Sequence, residues 1–265
     1  MRVPRALIVA GFRRYATYRQ ATVAGAFTNV VFGFLRCYIL LSIAESAGGS
    51  MVGYDPTQLV SYVWLGQGML AVVNSWTMLD LAERVRSGEV VSDLLRPIDP
   101  LWTYMWTDLG RGGFAMLTRF LTPLVVGELC FGVYVPDNPL TYPLFLLSVV
   151  AALLVGFACR YLIGLCAFWL LDVRGVSMMW VFFSGAASGL YFPLAVLPDW
   201  LATALWAVTP FPSLMQASLD IAVERGGLAH GLPAFGAQVV WVVLSLLACR
   251  WVQTRAVRRL VVQGG

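Results

Sequence analysis

Charged side chains are concentrated in residues 81–100, LAERVRSGEVVSDLLRPIDP, between two apolar stretches of the chain. Only 12% of all residues are charged, so this concentration stands out. A segment with charged groups beside an apolar stripe can lie on a membrane surface or dock into a groove of another protein. The chemistry that this pattern indicates is therefore recognition of a membrane or a partner. A solvated loop with one helical turn is the alternative interpretation of the same pattern.

The local pattern predicts a short amphipathic helix in this segment. Residues 87–89 favour a break and restart, with Ser87 as the helix cap. Pro97 and Pro100 are expected to end the helix. The apolar residues that then recur at helical spacing are Val90, Val91, Leu94 and Leu95.

A second group of ionisable side chains interrupts the apolar stretches: Arg36, Arg119, Glu128 and Arg160. Such groups are costly inside a membrane and indicate functional sites. Arg119 and Glu128 lie on opposite sides of one helix, so they cannot pair with each other. We expect Arg36 to pair with Glu128, and Arg119 and Arg160 to extend toward the inner headgroups. Alternatively, Glu128 is a structural acid that faces a partner subunit.

Several kinds of site are excluded by composition. The chain has no lysine, so it cannot form the P-loop that binds ATP phosphates. Its only histidine is His230, which excludes a multi-histidine metal centre, and its 5 cysteines form no C-x-x-C motif. We therefore predict no catalytic, cofactor-binding or metal-binding residue.

The elements that position these groups are apolar helices. Hydrophobic residues make up 59% of the 265-residue chain, and its mean hydropathy is +0.76. These values indicate an all-α polytopic membrane protein with a single transmembrane domain over residues 1–265. Residues 1–20 are basic and amphipathic, which predicts an interfacial helix. Six spans are predicted near residues 22–44, 59–79, 113–135, 142–171, from 176 onward, and 234–252.

Prolines divide residues 191–216 into pieces too short to cross a bilayer. We expect a re-entrant hairpin of two short helices there, with Trp200 at the interface, and a polar outer loop over residues 219–233. Arginines fall almost entirely on the loops of one side, with only Arg225 on the other. This bias predicts that both termini and residues 81–100 are cytoplasmic and that the hairpin is external.

The order of these parts resembles the membrane subunit of bacterial type-2 ATP-binding-cassette (ABC) exporters. The resemblance is carried by Ser87-Gly88-Glu89 and Asp93–Pro100 on one side, and by Ser188–Pro193, Leu197–Trp200 and Thr209–Phe211 on the other. It implies a six-span permease in the bacterial inner membrane, with membrane lipids, a second permease subunit and a cytoplasmic ABC ATPase as partners, and no nucleic acid. Cargo would be hydrophobic or amphiphilic, such as a drug, natural product or lipid.

The resemblance also implies roles for individual residues. Residues 83–97 would form the coupling helix seated in the ATPase, through Glu83, Arg84, Glu89, Val90, Asp93, Leu94, Leu95, Arg96 and Pro97. The external gate would contain Pro193, Pro198, Trp200 and Pro210. The alternatives are an ATP-independent secondary transporter or channel, an intramembrane enzyme, and a purely structural anchoring subunit. An enzyme is disfavoured because no span contains a histidine to activate a serine.

Overall fold

The computed structural model describes residues 2–73, 79–170 and 172–259. These residues form α-helices with short 3-10 and π turns and no β-strand, so the predicted all-α class is confirmed. The helices are α1 (Arg2–Ala16), α2 (Arg19–Ser46), α3 (Pro56–Val73), α4 (Leu81–Arg86), α5 (Val90–Leu94), α6 (Pro100–Ala115), α7 (Leu121–Phe131), α8 (Thr141–Leu165), α9 (Arg174–Ala187), α10 (Asp199–Val208), α11 (Gln216–Ala222) and α12 (Gly227–Val257).

Within residues 2–73, 79–170 and 172–259, four helices are long and apolar enough to cross a membrane. They are α2, the continuous run Pro100–Phe131, the run Thr141–Phe168, and α12. Helices α3 and α9, at the predicted second and fifth spans, have 18 and 14 residues. A helix the length of α9 extends about 21 Å, less than the roughly 30 Å of a hydrocarbon core. The count of six spans therefore stays a prediction.

The predicted role of Pro100 was wrong, because this proline begins a helix. Asp99 caps α6 by accepting a hydrogen bond from the Leu101 amide at 2.9 Å. Proline suits the first helical position, where no amide donor is needed. The third apolar helix accordingly begins at residue 100 rather than 113, while the preceding helix has already ended at Leu94.

The predicted polar outer loop over residues 219–233 was also wrong. All residues of α11 are buried, and α12 begins at Gly227 with Pro233 inside it. The polar side chains of α11 have partners within the fold: Gln216 donates to Asp220 at 2.9 Å, and Tyr54 donates to the same carboxylate. Polar side chains that have hydrogen-bond partners can be buried at little cost. The polar residues of α11 therefore suggested an exposed loop, although the helix is buried.

The helix bundle has two distinct ends. Helices α1, α4 and α5 lie at one end, where Arg14 pairs with Asp80 at 2.9 Å. Helix α11 lies at the other, where the Gln58 side chain donates to the Val223 carbonyl at 2.9 Å. We call these the α1 end and the α11 end.

Two glycines allow α1 to cross α6 in backbone contact. A Cβ atom added at Gly110 would lie 2.0 Å from the Ile8 carbonyl oxygen, and one added at Gly11 would lie 2.1 Å from the Thr107 carbonyl oxygen. Only glycine permits this approach. The predicted helix within residues 1–20 is confirmed over 2–16, and its interfacial position stays a prediction.

Substituting Gly110 is expected to separate these helices. Gly110→Ala should destabilise the protein by about 1–3 kcal/mol, because the new methyl group meets rigid backbone. Gly113→Ala is the matched control on the same helix, since nothing lies within 4 Å of its added Cβ. The unfolding temperature in detergent should fall for the first variant only. A similar fall for both would contradict the proposed crossing geometry.

Candidate functional site

The segment of residues 81–99 contains the predicted coupling residues and folds as two short helices. Helices α4 and α5 are joined at Ser87–Glu89, so the predicted break is confirmed. Gly88 has a φ of +80°, a left-handed conformation that favours glycine. The predicted cap was wrong, because the Ser87 hydroxyl donates back to the Arg84 carbonyl at 3.4 Å rather than capping α5.

Arg84 holds the two halves of this segment together. Its guanidinium donates to both carboxylate oxygens of Asp93, at 2.6 and 3.0 Å, and to Glu89 at 3.1 Å. The hydrogen bond to Asp93 raises the pKa of Arg84, which keeps the bidentate pair charged. Only 12% of the Asp93 side chain is exposed. Arg84 and Asp93 therefore stabilise the segment itself rather than present free charges to a partner.

The predicted apolar stripe is divided between the interior and the surface. Val90 is 3% exposed and packs into the apolar cluster that contains Leu81 and Tyr161, whereas Leu95 is 81% exposed. Leu94 is half-buried. The other predicted contact residues that remain exposed are Glu83, Glu89, Arg96 and Pro97. The exposed part of the segment thus contains one large apolar side chain, Leu95, together with charged side chains.

A buried ion-pair cluster connects α6 with α8 at the same end of the bundle. Asp108 pairs with Arg111 at 2.6 Å and with Arg160 at 2.7 Å, and all three side chains are at most 4% exposed. Arg111 also donates to the Ala71 and Val72 carbonyls near the end of α3. The prediction that Arg160 extends to headgroups was wrong, because the nearby carboxylate provides an internal partner.

Sequence reasoning missed the role of Asp108 and Arg111. Their spacing places both on one helix face, a pattern that could have indicated a local pair. Arg160 lies 52 positions further along the chain, so no local pattern connects it to Asp108.

A cavity of about 220 Å³ lies between this cluster and the segment of residues 81–99. It is lined by Arg14, Tyr15, Leu79, Asp80, Arg84, Asp93, Arg96, Thr103, Tyr104, Thr107, Asp108, Arg111 and Arg160. The cavity therefore joins α1, α6 and α8 to the predicted coupling region. We call it the arginine cavity. Among the described residues, no group of histidine, cysteine and acidic side chains could hold a metal ion.

The predicted ion pair between Arg36 and Glu128 was wrong. Arg36 donates to the Leu190 carbonyl, which lies beyond the end of α9 and is free of helical hydrogen bonds. Glu128 is exposed and accepts from the Val133 amide at 2.7 Å, just after α7 ends. Each side chain thus finds a backbone group left unpaired at a helix end.

Arg119 lies in a π-helical turn, Met116–Phe120, and is half-buried. Its guanidinium packs against α2 at Gly25, where an added Cβ would lie 1.5 Å from Nη2. The buried Nε of Arg119 has no hydrogen-bond partner among the described residues. The extension of Arg119 to the headgroups stays a prediction. Its guanidinium packs against α2.

The whole arrangement, from α2 to the end of the chain, corresponds to a known family. A family model described as "ABC-2 family transporter protein" matches residues 31–264, which is most of the 265-residue chain. The chain belongs to the ABC-2 transporter family. No curated protein matches it. Membership makes the chain a multi-pass permease subunit of an ABC transporter, a class that generally works with an ABC ATPase.

At the α11 end of this ABC-2 permease, a proline directly precedes three of the short helical pieces. Pro193 and Pro210 precede 3-10 turns, and Pro198 directly precedes α10. Pro193 is buried, Pro198 is exposed, Pro210 is half-buried, and Trp200 is 72% exposed. Helix α10 has 10 residues, about 15 Å, which agrees with a piece too short to cross a bilayer. Whether it re-enters the membrane stays a prediction.

Glu224, in the connection between α11 and α12, binds the connection between α7 and α8 at this end of the permease. Its carboxylate accepts hydrogen bonds from Thr141 at 2.6 Å, from Tyr134 at 2.8 Å, and from the Asp137 and Asn138 amides at 3.0 and 3.1 Å. Burial by itself raises the pKa of Glu224, but these hydrogen bonds lower it below the ordinary value of 4.5. Four donors therefore favour the charged carboxylate.

This network predicts an acid-sensitive contribution to stability. A lowered folded pKa means that Glu224 stabilises the fold above pH 4.5 and loses that contribution as pH falls through the lowered pKa. Glu224→Gln should lower the unfolding temperature at pH 7 and remove this part of the acid dependence. Glu45→Gln, which changes an exposed acid on α2, should keep the wild-type dependence. Identical pH profiles for Glu224→Gln and wild type would contradict the prediction.

Proposed function

We propose that this permease moves a hydrophobic or amphiphilic cargo outward, driven by ATP hydrolysis on a separate subunit. The observation that carries the proposal is Leu95, an 81% exposed leucine on a segment anchored by the buried Val90. At protein–protein interfaces, a large apolar side chain inside a polar rim can supply much of the binding energy when the partner covers it. In an ABC-2 permease, the partner that fits this surface is the ATPase.

Contacts around the segment support a route for coupling. Arg84 ties α4 to α5, so both would move together when the ATPase closes. Leu81 of α4 packs on α8, since a Cβ added at Gly164 would lie 3.2 Å from the Leu81 side chain. Motion of the ATPase would therefore reach α8 through a packed contact. Glu83, Glu89, Leu95, Arg96 and Pro97 would form the docking surface.

An apolar cavity supports the proposed cargo class. It measures about 340 Å³ and is lined chiefly by apolar side chains, including Leu65 of α3, Phe120 of the π-helical turn, Leu124 of α7 and Phe145 of α8, together with Glu128. Such a lining suits an apolar or amphiphilic molecule. At the α11 end, Pro193, Pro198, Trp200 and Pro210 would form part of the external gate.

Charge and surface composition support the proposed setting in the membrane. The α1 end carries most arginines and the α11 end carries Arg225, so the α1 end would face the bacterial cytoplasm. Helices α2 and α9 expose large apolar residues, including Phe27, Phe32, Phe182 and Phe183. These faces would contact lipids or a second permease subunit. Residues 1–265 would then act as one permease domain.

Purification from the native host tests the proposal. The detergent-solubilised permease should co-purify with an ABC ATPase, and vesicles containing the complex should move cargo only with ATP. A stable permease without any nucleotide-binding partner, active with an ion gradient alone, would favour the alternative of a secondary transporter or channel. Glu128, which lines the apolar cavity, would then be the first residue to substitute.

A further inference from the structure

The arginine cavity contains more positive than negative charge. Five arginines and three aspartates line it, and Glu89, which is not part of the lining, pairs with Arg84 at 3.1 Å, so one positive charge remains in excess. The residues outside the described ranges contain no charged side chain, so they cannot cancel this excess. A cluster of like charges is unfavourable unless an anion joins it. The arginine cavity therefore lacks a negative charge that would balance its arginines.

Each aspartate in the cavity already pairs with at least one arginine. Asp80 pairs with Arg14 at 2.9 Å, and Asp108 pairs with Arg111 and Arg160. Asp93 pairs with Arg84 at 2.6 Å and reaches Arg96 only at 3.8 Å.

Donors remain available at both the floor and the rim of the cavity. Nη1 of Arg160 lies 3.5 Å from Asp108, at the limit of a hydrogen bond, so it retains capacity to donate. Within the part of the chain that the structure describes, the Arg96 side chain at the rim has only its long contact with Asp93. Both guanidinium groups line the same cavity, so an anion inside it would have hydrogen-bond donors from each.

Burial makes the floor of the cavity favourable for an anion. The exposed fraction is 1% for the Arg160 side chain and 60% for that of Arg96. Charge interactions strengthen in the low dielectric of a buried floor, while the exposed rim leaves a path from solvent. The cavity of about 220 Å³ also far exceeds the roughly 15 Å³ that one water needs.

We propose that the arginine cavity binds a phosphate group, either as free phosphate or as the headgroup of an anionic lipid. The planar donor forks of arginine match phosphate oxygens, and the excess positive charge favours an anionic group. A bound phosphate would bridge α1 and α8 to the segment of residues 81–99. Occupancy would hold the docking surface against the helix bundle. This site does not depend on the cargo, on the direction of transport or on the identity of the ATPase.

Ligand titration of the purified full-length chain tests the site. Inorganic phosphate, short-chain phosphatidic acid and short-chain phosphatidylcholine are added separately at constant ionic strength, and the unfolding temperature is measured. Phosphate or phosphatidic acid should raise it saturably, and phosphatidylcholine should not. Competition between phosphate and phosphatidic acid indicates a shared phosphate site, whereas an effect of phosphatidic acid alone assigns the site to a lipid headgroup.

Two arginine variants locate the binding. Arg96→Gln removes a rim charge, and its apparent Kd should rise about fivefold to tenfold, because solvent at the exposed rim weakens a charge interaction. Arg86→Gln is the matched control, because Arg86 is similarly exposed in the same segment but pairs with Glu83 outside the cavity. Absence of a saturable effect in wild type overturns the proposal. So does an Arg96→Gln variant that binds no more weakly than Arg86→Gln.

Discussion

Leu95→Asp is expected to release the ATPase while leaving the permease folded. The side chain is 81% exposed, so the substitution removes no internal packing. In the proposed complex it would bury a carboxylate where a leucine had been desolvated, at a cost of about 2 kcal/mol or more. That corresponds to a Kd roughly thirtyfold weaker. Co-purification of the ATPase should be lost, and ATP-driven transport should fall with it.

Two other substitutions show whether this effect is local. Val52→Asp changes a 45% exposed apolar residue at the α11 end and should leave the complex intact. Val90→Asp should instead lower the stability of the permease itself, because Val90 is 3% exposed. Retention of the ATPase by a folded Leu95→Asp variant would remove the central support for the docking surface.

Asp108→Asn is expected to cause the largest loss of stability among single substitutions in the buried cluster. It would leave Arg111 and Arg160 close together without their counter-charge, and both are at most 4% exposed. Breaking a buried ion pair by removal of one partner typically costs about 3–5 kcal/mol. The unfolding temperature of the solubilised permease should fall sharply, and the yield of folded protein should fall with it.

A second substitution and an exposed pair provide controls. Arg160→Gln added to Asp108→Asn should recover part of the loss, because Arg111 keeps its bonds to the Ala71 and Val72 carbonyls. Asp172→Asn breaks an exposed pair with Arg174 at 3.6 Å and should cost less than about 1 kcal/mol. Equal losses of stability for Asp108→Asn and Asp172→Asn would show that the buried cluster contributes no more to stability than an exposed ion pair.

The predictable part of the fold follows from local properties of the chain. Continuous apolar runs indicated long helices, and the glycine at position 88 indicated the break between α4 and α5. Helix boundaries were less predictable where a residue type suits both the end of one helix and the beginning of the next. Pro100 can end one helix or begin the next, and here the Asp99 cap makes it a beginning. Helix α11 was missed because its polar residues are paired only in the folded protein.

By itself, the sequence determined the class of the protein, its lack of a P-loop and the position of its main charged segment. These properties depend on composition and on neighbours within a few residues. Tertiary structure decided that Val90 is buried while Leu95 is exposed, and that Arg160 joins Asp108 while Arg36 finds a carbonyl instead of Glu128. The physical reason is that a buried charge takes the nearest available partner, and only helix packing determines which groups are near.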